Sequence, residues 1–187
     1  MTSEKEPCAR GMILVGFRDA VRALWSEAGL RQIAALLPEE ARRETLDRQV
    51  LPVEWLPERH IMAWYDAVWN GPAAGSWKLF ASFLDKMMDL GFGRVRKMLI
   101  GVIGAETMLE KAIDLWRHDH THGVLRIKVS GKSAIATLHD HPYINTPVSR
   151  FAIAEIYRYC LSLSRARNVK MEHKHEGSSV QVHLTWE

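Results

Sequence analysis

Histidine is the residue type in this chain with the most chemical reach, and its placement is uneven. His118-Asp119-His120-Thr121-His122 and His139-Asp140-His141 are two dense runs. Both belong to segments in which apolar residues alternate with polar ones. Val124–Val129 and Ala134–His141 read as strands around Ser130-Gly131-Lys132-Ser133, and a two-residue Gly-Lys loop suits a type II′ hairpin. A turn between Gly131 and Lys132 places Leu125 opposite Leu138, Ile127 opposite Ala136 and Val129 opposite Ala134 on one apolar face. The other face then carries His122 opposite His141, with His139 nearby and His120 one step back along the strand. Imidazoles gathered in this way are ligands for zinc, copper or nickel, so His120, His122, His139 and His141 are the candidate metal set, on an outward face. The competing reading is a solvated polar face that titrates near neutrality.

Other reactive constellations are missing. Cys8 and Cys160 make no metal or redox spacing, and Cys160 falls on an apolar helical face. There is no nucleophile elbow, P-loop or dinucleotide fingerprint. Glu54, Glu58 and Asp66 are too dispersed to form an acid/base pair. Basic residues are interleaved with acidic ones and the net charge is only +3, which argues against a nucleic-acid surface. The second place where chemistry could reside is aromatic. Trp64, Trp69, Trp77, Phe80, Phe83, Met87 and Trp116 recur at helical spacing, and they read either as packed core or as the wall of an apolar ligand pocket.

The elements that must position these groups follow from periodicity. Met12–Val15 is a strand or a helix start. Phe17, Val21, Leu24 and Trp25 continue as an amphipathic helix closed by Gly29, with a short helix over 31–37. Pro57 suits the first turn of a helix carrying Ile61, Trp64, Tyr65 and Val68. Ser76 opens a further helix that Gly91 and Gly93 should close. Helices over about 94–103 and 105–116 come next. After Trp116 the period changes from 3.6 to 2: a hairpin, a helix introduced by Thr146-Pro147, then a second hairpin of Val169–His175 and Val180–Trp186. His173 and His175 share the half-buried face of that hairpin with Val169 and Met171, while His183 lies with Glu172 on the other. The expectation is an α+β fold, a helical N-terminal part packed on a C-terminal antiparallel sheet of β-β-α-β-β order. Residues 1–10 form a loose tail and 11–187 a single domain. A chain of 187 residues buries roughly 70% of its unfolded surface and needs no metal or disulfide to fold. No apolar stretch is long enough to span a bilayer, and a cytoplasmic location fits the cysteine usage.

The opening Arg10-Gly11-Met12-Ile13-Leu14-Val15-Gly16-Phe17 followed by an amphipathic helix resembles the start of haem nitric oxide/oxygen-binding domains. The C-terminal strand–strand–helix–strand–strand unit resembles those domains, the 4-vinyl-reductase-type domains and the TRAPP subunits. Leu51-Pro52-Val53-Glu54-Trp55, the Gly91…Gly101…Gly104 spacing, Leu115-Trp116 and Ala166-Arg167-Asn168-Val169-Lys170-Met171-Glu172-His173 are similar to an uncharacterised bacterial family of this group. The resemblance implies a hydrophobic pocket between helices and sheet, used by relatives for haem, aromatic effectors or an acyl chain, and frequent dimerisation. The haem domains carry a helical His before the sheet and a Tyr-x-Ser-x-Arg motif. Here the corresponding stretch reads His139-Asp140-His141-Pro142-Tyr143, and His118 is the nearby axial candidate. No cofactor is therefore expected, with haem disfavoured and zinc the alternative. The expected function is a non-enzymatic sensing or interaction module, a homodimer binding a small apolar ligand or a protein partner. The alternative is a histidine-rich metal-binding protein or metalloenzyme.

Overall fold

The computed structural model describes residues 6–100, 103–177 and 179–187, with side chains for all of these except 92–100. The helical part comes first. It holds β1 (Cys8–Arg10), α1 (Met12–Leu36), α2 (Glu39–Thr45), β2 (Trp55–Pro57), α3 (Glu58–Asn70), α4 (Trp77–Ile100) and α5 (Ala105–Asp119). The second part is β3 (Val124–Ser130), β4 (Ser133–His139), α6 (Pro147–Ser162), β5 (Lys170–Glu176) and β6 (Ser179–Thr185). The α+β class, the helical N-terminal part and the β-β-α-β-β order are as the residue pattern predicts.

Both hairpins keep the predicted register. Leu125 pairs with Leu138, Ile127 with Ala136 and Val129 with Ala134, and Gly131 carries the positive φ (56°) that a II′ turn needs at its first position. In the second hairpin Met171 faces Leu184 and His173 faces Val182. The hairpins join through β4 and β6 into one antiparallel sheet of order β3-β4-β6-β5. Its apolar face, with Leu138, Val180, Val182 and Leu184 fully buried, is covered by α6. Thr146 starts α6 with a reciprocal cap: its hydroxyl accepts from the Ser149 N–H at 3.1 Å, the Ser149 hydroxyl accepts from the Thr146 N–H, and Pro147 follows in the first turn.

The helical half has its own core. Phe17, Trp64, Tyr65, Phe80 and Phe83 interlock with ring centroids 5.1–6.0 Å apart along the chain of contacts from Phe17 outward. The Trp64 indole N–H donates to Thr45 Oγ1 (2.7 Å), whose own hydroxyl donates to the Ala41 carbonyl. The two cores meet on α6, where Val148 and Ala152 belong to the helical one and Ile153, Ala154 and Leu161 to the sheet.

Three boundaries differ from the sequence reading, and the alternative left open at 12–15 resolves to one of its two forms. Of the expected tail, residues 1–5 lie outside the described residues, while Cys8–Arg10 pair with Trp55–Pro57 as a two-stranded ladder. Ala9 there is fully buried. Met12–Val15 is helix. The break in α1 falls at Ser26 (φ 59°, ψ −163°) rather than at Gly29, whose missing side chain lets the helix fold back onto Trp25 and Val21. Finally, α4 runs through Gly91 and Gly93 to Ile100, because a glycine costs a helix only about 1 kcal/mol.

Candidate functional site

Three short elements converge at one end of the helical part. β1 pairs with β2, and β2 delivers Glu58 as the first residue of α3, with the Glu58 N–H donating to the Pro7 carbonyl (2.9 Å). The segment after α5 returns to the same place. His120 bridges to Ala9, and the Thr121 N–H donates to the Cys8 carbonyl (2.9 Å). Trp116 fixes the turn that follows. Its indole N–H is shared by the carbonyls of His122 and Gly123, each at 3.1 Å, and its ring stacks on His120 at 3.8 Å and 5°.

Glu58 is the centre of this convergence, only 2% exposed. The His120 Nδ1–H donates to one carboxylate oxygen at 3.1 Å, and the His141 Nε2–H donates to the other, also at 3.1 Å. The His141 tautomer follows from its other side, where Nδ1 accepts the Tyr143 N–H at 3.2 Å. His122 Nε2 lies 3.3 Å from Glu58, but the contact is not aligned as a hydrogen bond, and neither nitrogen of its buried ring has a hydrogen-bond partner among the described residues. An unmet buried polar group of this kind costs about 1–3 kcal/mol. Burial pushes the Glu58 carboxyl up, yet its bonds to His120 and His141 outweigh that, and the group is held well below the usual carboxylate range. Burial pushes His122 down to about 4 against the pull of Glu58, so the ring is neutral.

The histidine expectation divides at this point. The structure gathers His120, His122 and His141 around Glu58, and leaves His139 out. His139 stays on the sheet, where its Nδ1 is paired with the Ser179 hydroxyl at 2.9 Å. The outward cluster expected from alternation is also corrected. The β3–β4 ladder ends at Val124 and His139, and the residues next beyond it, Gly123 (φ 73°) and Asp140 (φ 54°), are both left-handed. Two reversals at the open end of the ladder turn His122 and His141 inward, and His141 is 3% exposed. Glu58, set aside as an isolated carboxylate, is the residue sequence reasoning missed. An acid directly after Pro57 reads as an ordinary first-turn charge, and only the fold brings it under three imidazoles.

Beside this cluster opens a cavity of about 270 Å³ walled by α1, α3, α4, α5 and α6. It lies among the helices, with α6 between it and the sheet. Its wall is apolar and rich in thioether: Met12, Met62, Met87, Met88 and Met108 all reach it. Glu58, His118, Asp119 and His120 form its polar edge, and Tyr65, Tyr157 and Cys160 complete the lining opposite Gly16. The Tyr157 hydroxyl is buried without a hydrogen-bond partner among the described residues, and burial raises its pKa. Of the expected pocket residues, Met87 and Trp116 line this cavity. Trp64, Phe80 and Phe83 are packed in the helical core instead, and Trp69 and Trp77 lie against each other toward the surface with centroids 4.1 Å apart and planes tilted by 40°, Trp77 being 42% exposed.

No protein-family model matches the chain, and no curated protein matches it in sequence. Its fold, however, is that of H-NOX domains. An oxygen-binding H-NOX domain related to soluble guanylate cyclases superposes with a TM-score of 0.66 over 95% of both chains at 11% identity. An Fe(II) unliganded H-NOX protein from K. algicida gives 0.65 over 95% of this chain and 96% of that one at 9% identity. An H-NOX protein from S. oneidensis in the Fe(II)NO state gives 0.62 over 95% and 99% at 11% identity. These neighbours correct the expectation that no cofactor is involved and that haem is disfavoured, since the shared architecture is one built around haem iron in those proteins. The expectation rested on a missing Tyr-x-Ser-x-Arg pattern. No helix among the described residues is long and apolar enough to cross a membrane.

Proposed function

We propose that this chain is a sensing domain that holds a small, largely apolar ligand in the helical cavity, with haem as the first candidate. The observation that carries the reading is the cavity itself, an apolar space enclosed by five helices of an H-NOX-type fold. Its volume of about 270 Å³ lies just below the range of small-ligand sites, roughly 300–1,000 Å³, and five unbranched methionines in the wall can re-pack around a larger guest.

The donors at its edge fit haem in kind. His118, at the end of α5, has Nδ1 held by the Asp119 carboxylate at 2.7 Å, which leaves Nε2 for iron in the carboxylate–imidazole arrangement common at metal sites. Ala112, Leu115, Ile153 and Ile156 line the cavity and would help hold the group, and the Tyr157 hydroxyl is available to a polar atom of whatever is bound. Haem would supply an iron centre able to take a diatomic gas. The chain's part is to exclude water, offer an imidazole and couple occupancy to the packing of α5 and α6. A homodimer or a protein partner would then receive the signal, and sedimentation with and without ligand reads that step.

The test is titration of the full-length protein with haem and, separately, with an anilinonaphthalene sulfonate probe. The expected result is saturable one-to-one haem binding, seen as a sharpened Soret band and quenched tryptophan emission from Trp116. Ala112→Trp should abolish it and His118→Ala should alter the spectrum. Probe binding without haem binding would keep the apolar-ligand reading and remove haem from it. Failure of both ligands would overturn the reading.

A further inference from the structure

The Glu58 cluster asks for something that the cavity reading does not supply. His122 and His141 stand behind Glu58, outside the cavity lining, so a ligand in the cavity touches the cluster only through Glu58 and His120. Yet His122 is the residue with an unmet need, both of its ring nitrogens being buried and unpartnered.

We propose that Glu58, His122 and His141 form a binding site for one divalent first-row transition-metal ion, zinc in the first instance, with His120 as the residue that positions the Glu58 carboxylate. Among the described residues these three side chains form the group whose donor atoms all lie within 4.8 Å of one another. Two imidazoles and one carboxylate are a recognised zinc ligand set that leaves a fourth position open, and the same trio suits iron(II). The spacing is appropriate. Bonds of 2.0–2.1 Å in a tetrahedron put neighbouring donors about 3.3 Å apart. Here His122 Nε2 is 3.3 Å from one Glu58 oxygen and His141 Nε2 is 3.1 Å from the other, and one donor atom from each residue lies within 4.8 Å of the rest, so small rotations of the rings and the carboxylate bring three donors onto one ion.

Both His122 ring nitrogens are buried without a hydrogen-bond partner among the described residues, so its lone pair is free to bind an ion. In the metal-free protein the His141 Nε2 proton occupies the ion's place, bonded to Glu58. An ion takes the Nε2 lone pair once that proton has moved to Nδ1, so the long 3.2 Å contact from the Tyr143 N–H to Nδ1 is the bond the loaded ring gives up. His120 binds the Glu58 oxygen that also faces His122, and does so while stacked flat on Trp116, the arrangement by which a neighbouring residue fixes the aim of a ligand.

The experiment uses the full-length protein without a polyhistidine tag, stripped with chelator. Zn²⁺ is titrated against a competing chromophoric chelator, and Co²⁺ is added as a spectroscopic probe. The expected result is one equivalent bound, a rise in melting temperature, and the visible ligand-field band of a tetrahedral Co²⁺ site. His122→Ala should weaken zinc binding at least 100-fold while melting at or above the temperature of the stripped wild type, because it removes an unpaired buried ring. Glu58→Gln should also lose the site, and His139→Ala, on the sheet surface, should keep it. His120→Ala should retain one equivalent but change the Co²⁺ spectrum. Absence of stoichiometric binding by the wild type overturns the proposal, as does binding that survives His122→Ala or is lost in His139→Ala. Haem titration of the same variants is a separate readout, so failure of the metal site and failure of the cavity reading are distinguishable.

Discussion

His139 and His141 are two residues apart, and alternation alone would put them on the same face of a strand. One bonds to a serine on the sheet, and the other is buried against Glu58. The difference is made at Asp140 and, across the ladder, at Gly123, whose left-handed backbones are invisible to a period-two reading. Gly123 has a second reason to be glycine, because a side chain there would come within 3.2 Å of Leu138 and Trp116. Gly123→Ala should therefore destabilise the fold by about 1–3 kcal/mol and loosen His122, read by urea denaturation and by the imidazole resonances. A buried hydrogen bond makes an independent test. Thr45→Val leaves the Trp64 indole N–H unpaired in the core and should cost about 1–3 kcal/mol by the same denaturation measurement. At this scale the sequence revealed which histidines would meet, through the hairpin register, and hid Glu58, whose role depends on contacts across more than 60 residues.

Elements were legible where a single local rule governs them. Thr146-Pro147 announces α6, and the structure places the full capping box there. Thr146→Ala should cost about 1 kcal/mol of stability, with a matching loss of melting temperature and little change in circular dichroism of the folded state. Ile61, Trp64, Tyr65 and Val68 announce the buried face of α3, and all four are buried. Elements were illegible where tertiary packing overrides propensity. Cys8–Arg10 carries no strand signal of its own and becomes one because Trp55–Pro57 offers a partner. The aromatic set shows the same limit. Helical spacing showed that Trp64, Phe80 and Phe83 face inward, but a filled core and a hollow one have the same period, and the hollow lies one helix face away among the methionines.

The whole molecule has two hydrophobic cores and one helix common to both. Within one turn α6 contributes Ala152 to the helical core and Ile153 and Ala154 to the sheet core, so neither core can be lost without exposing an apolar face of that helix. Thermal unfolding should accordingly be a single transition, with calorimetric and van't Hoff enthalpies equal. A ligand in the cavity, which touches α1 and α6 alike, should raise the stability of the entire chain, by about 2.7 kcal/mol at a free concentration 100 times its Kd. Two resolved transitions, or a ligand that shifts only one of them, would contradict this coupling.

The ladder between Cys8–Arg10 and Trp55–Pro57, closed by the bonds to Thr121, also has a consequence in time. A ribosome makes the chain at about 5–20 residues per second, N-terminus first. The Thr121 donor is made more than 110 residues after Cys8–Arg10, and His141 later still. For several seconds Glu58 waits without its imidazoles. A nascent chain arrested before His120 should hold an ordinary, solvent-titratable carboxylate at Glu58, and the site should appear only as the first hairpin leaves the exit tunnel.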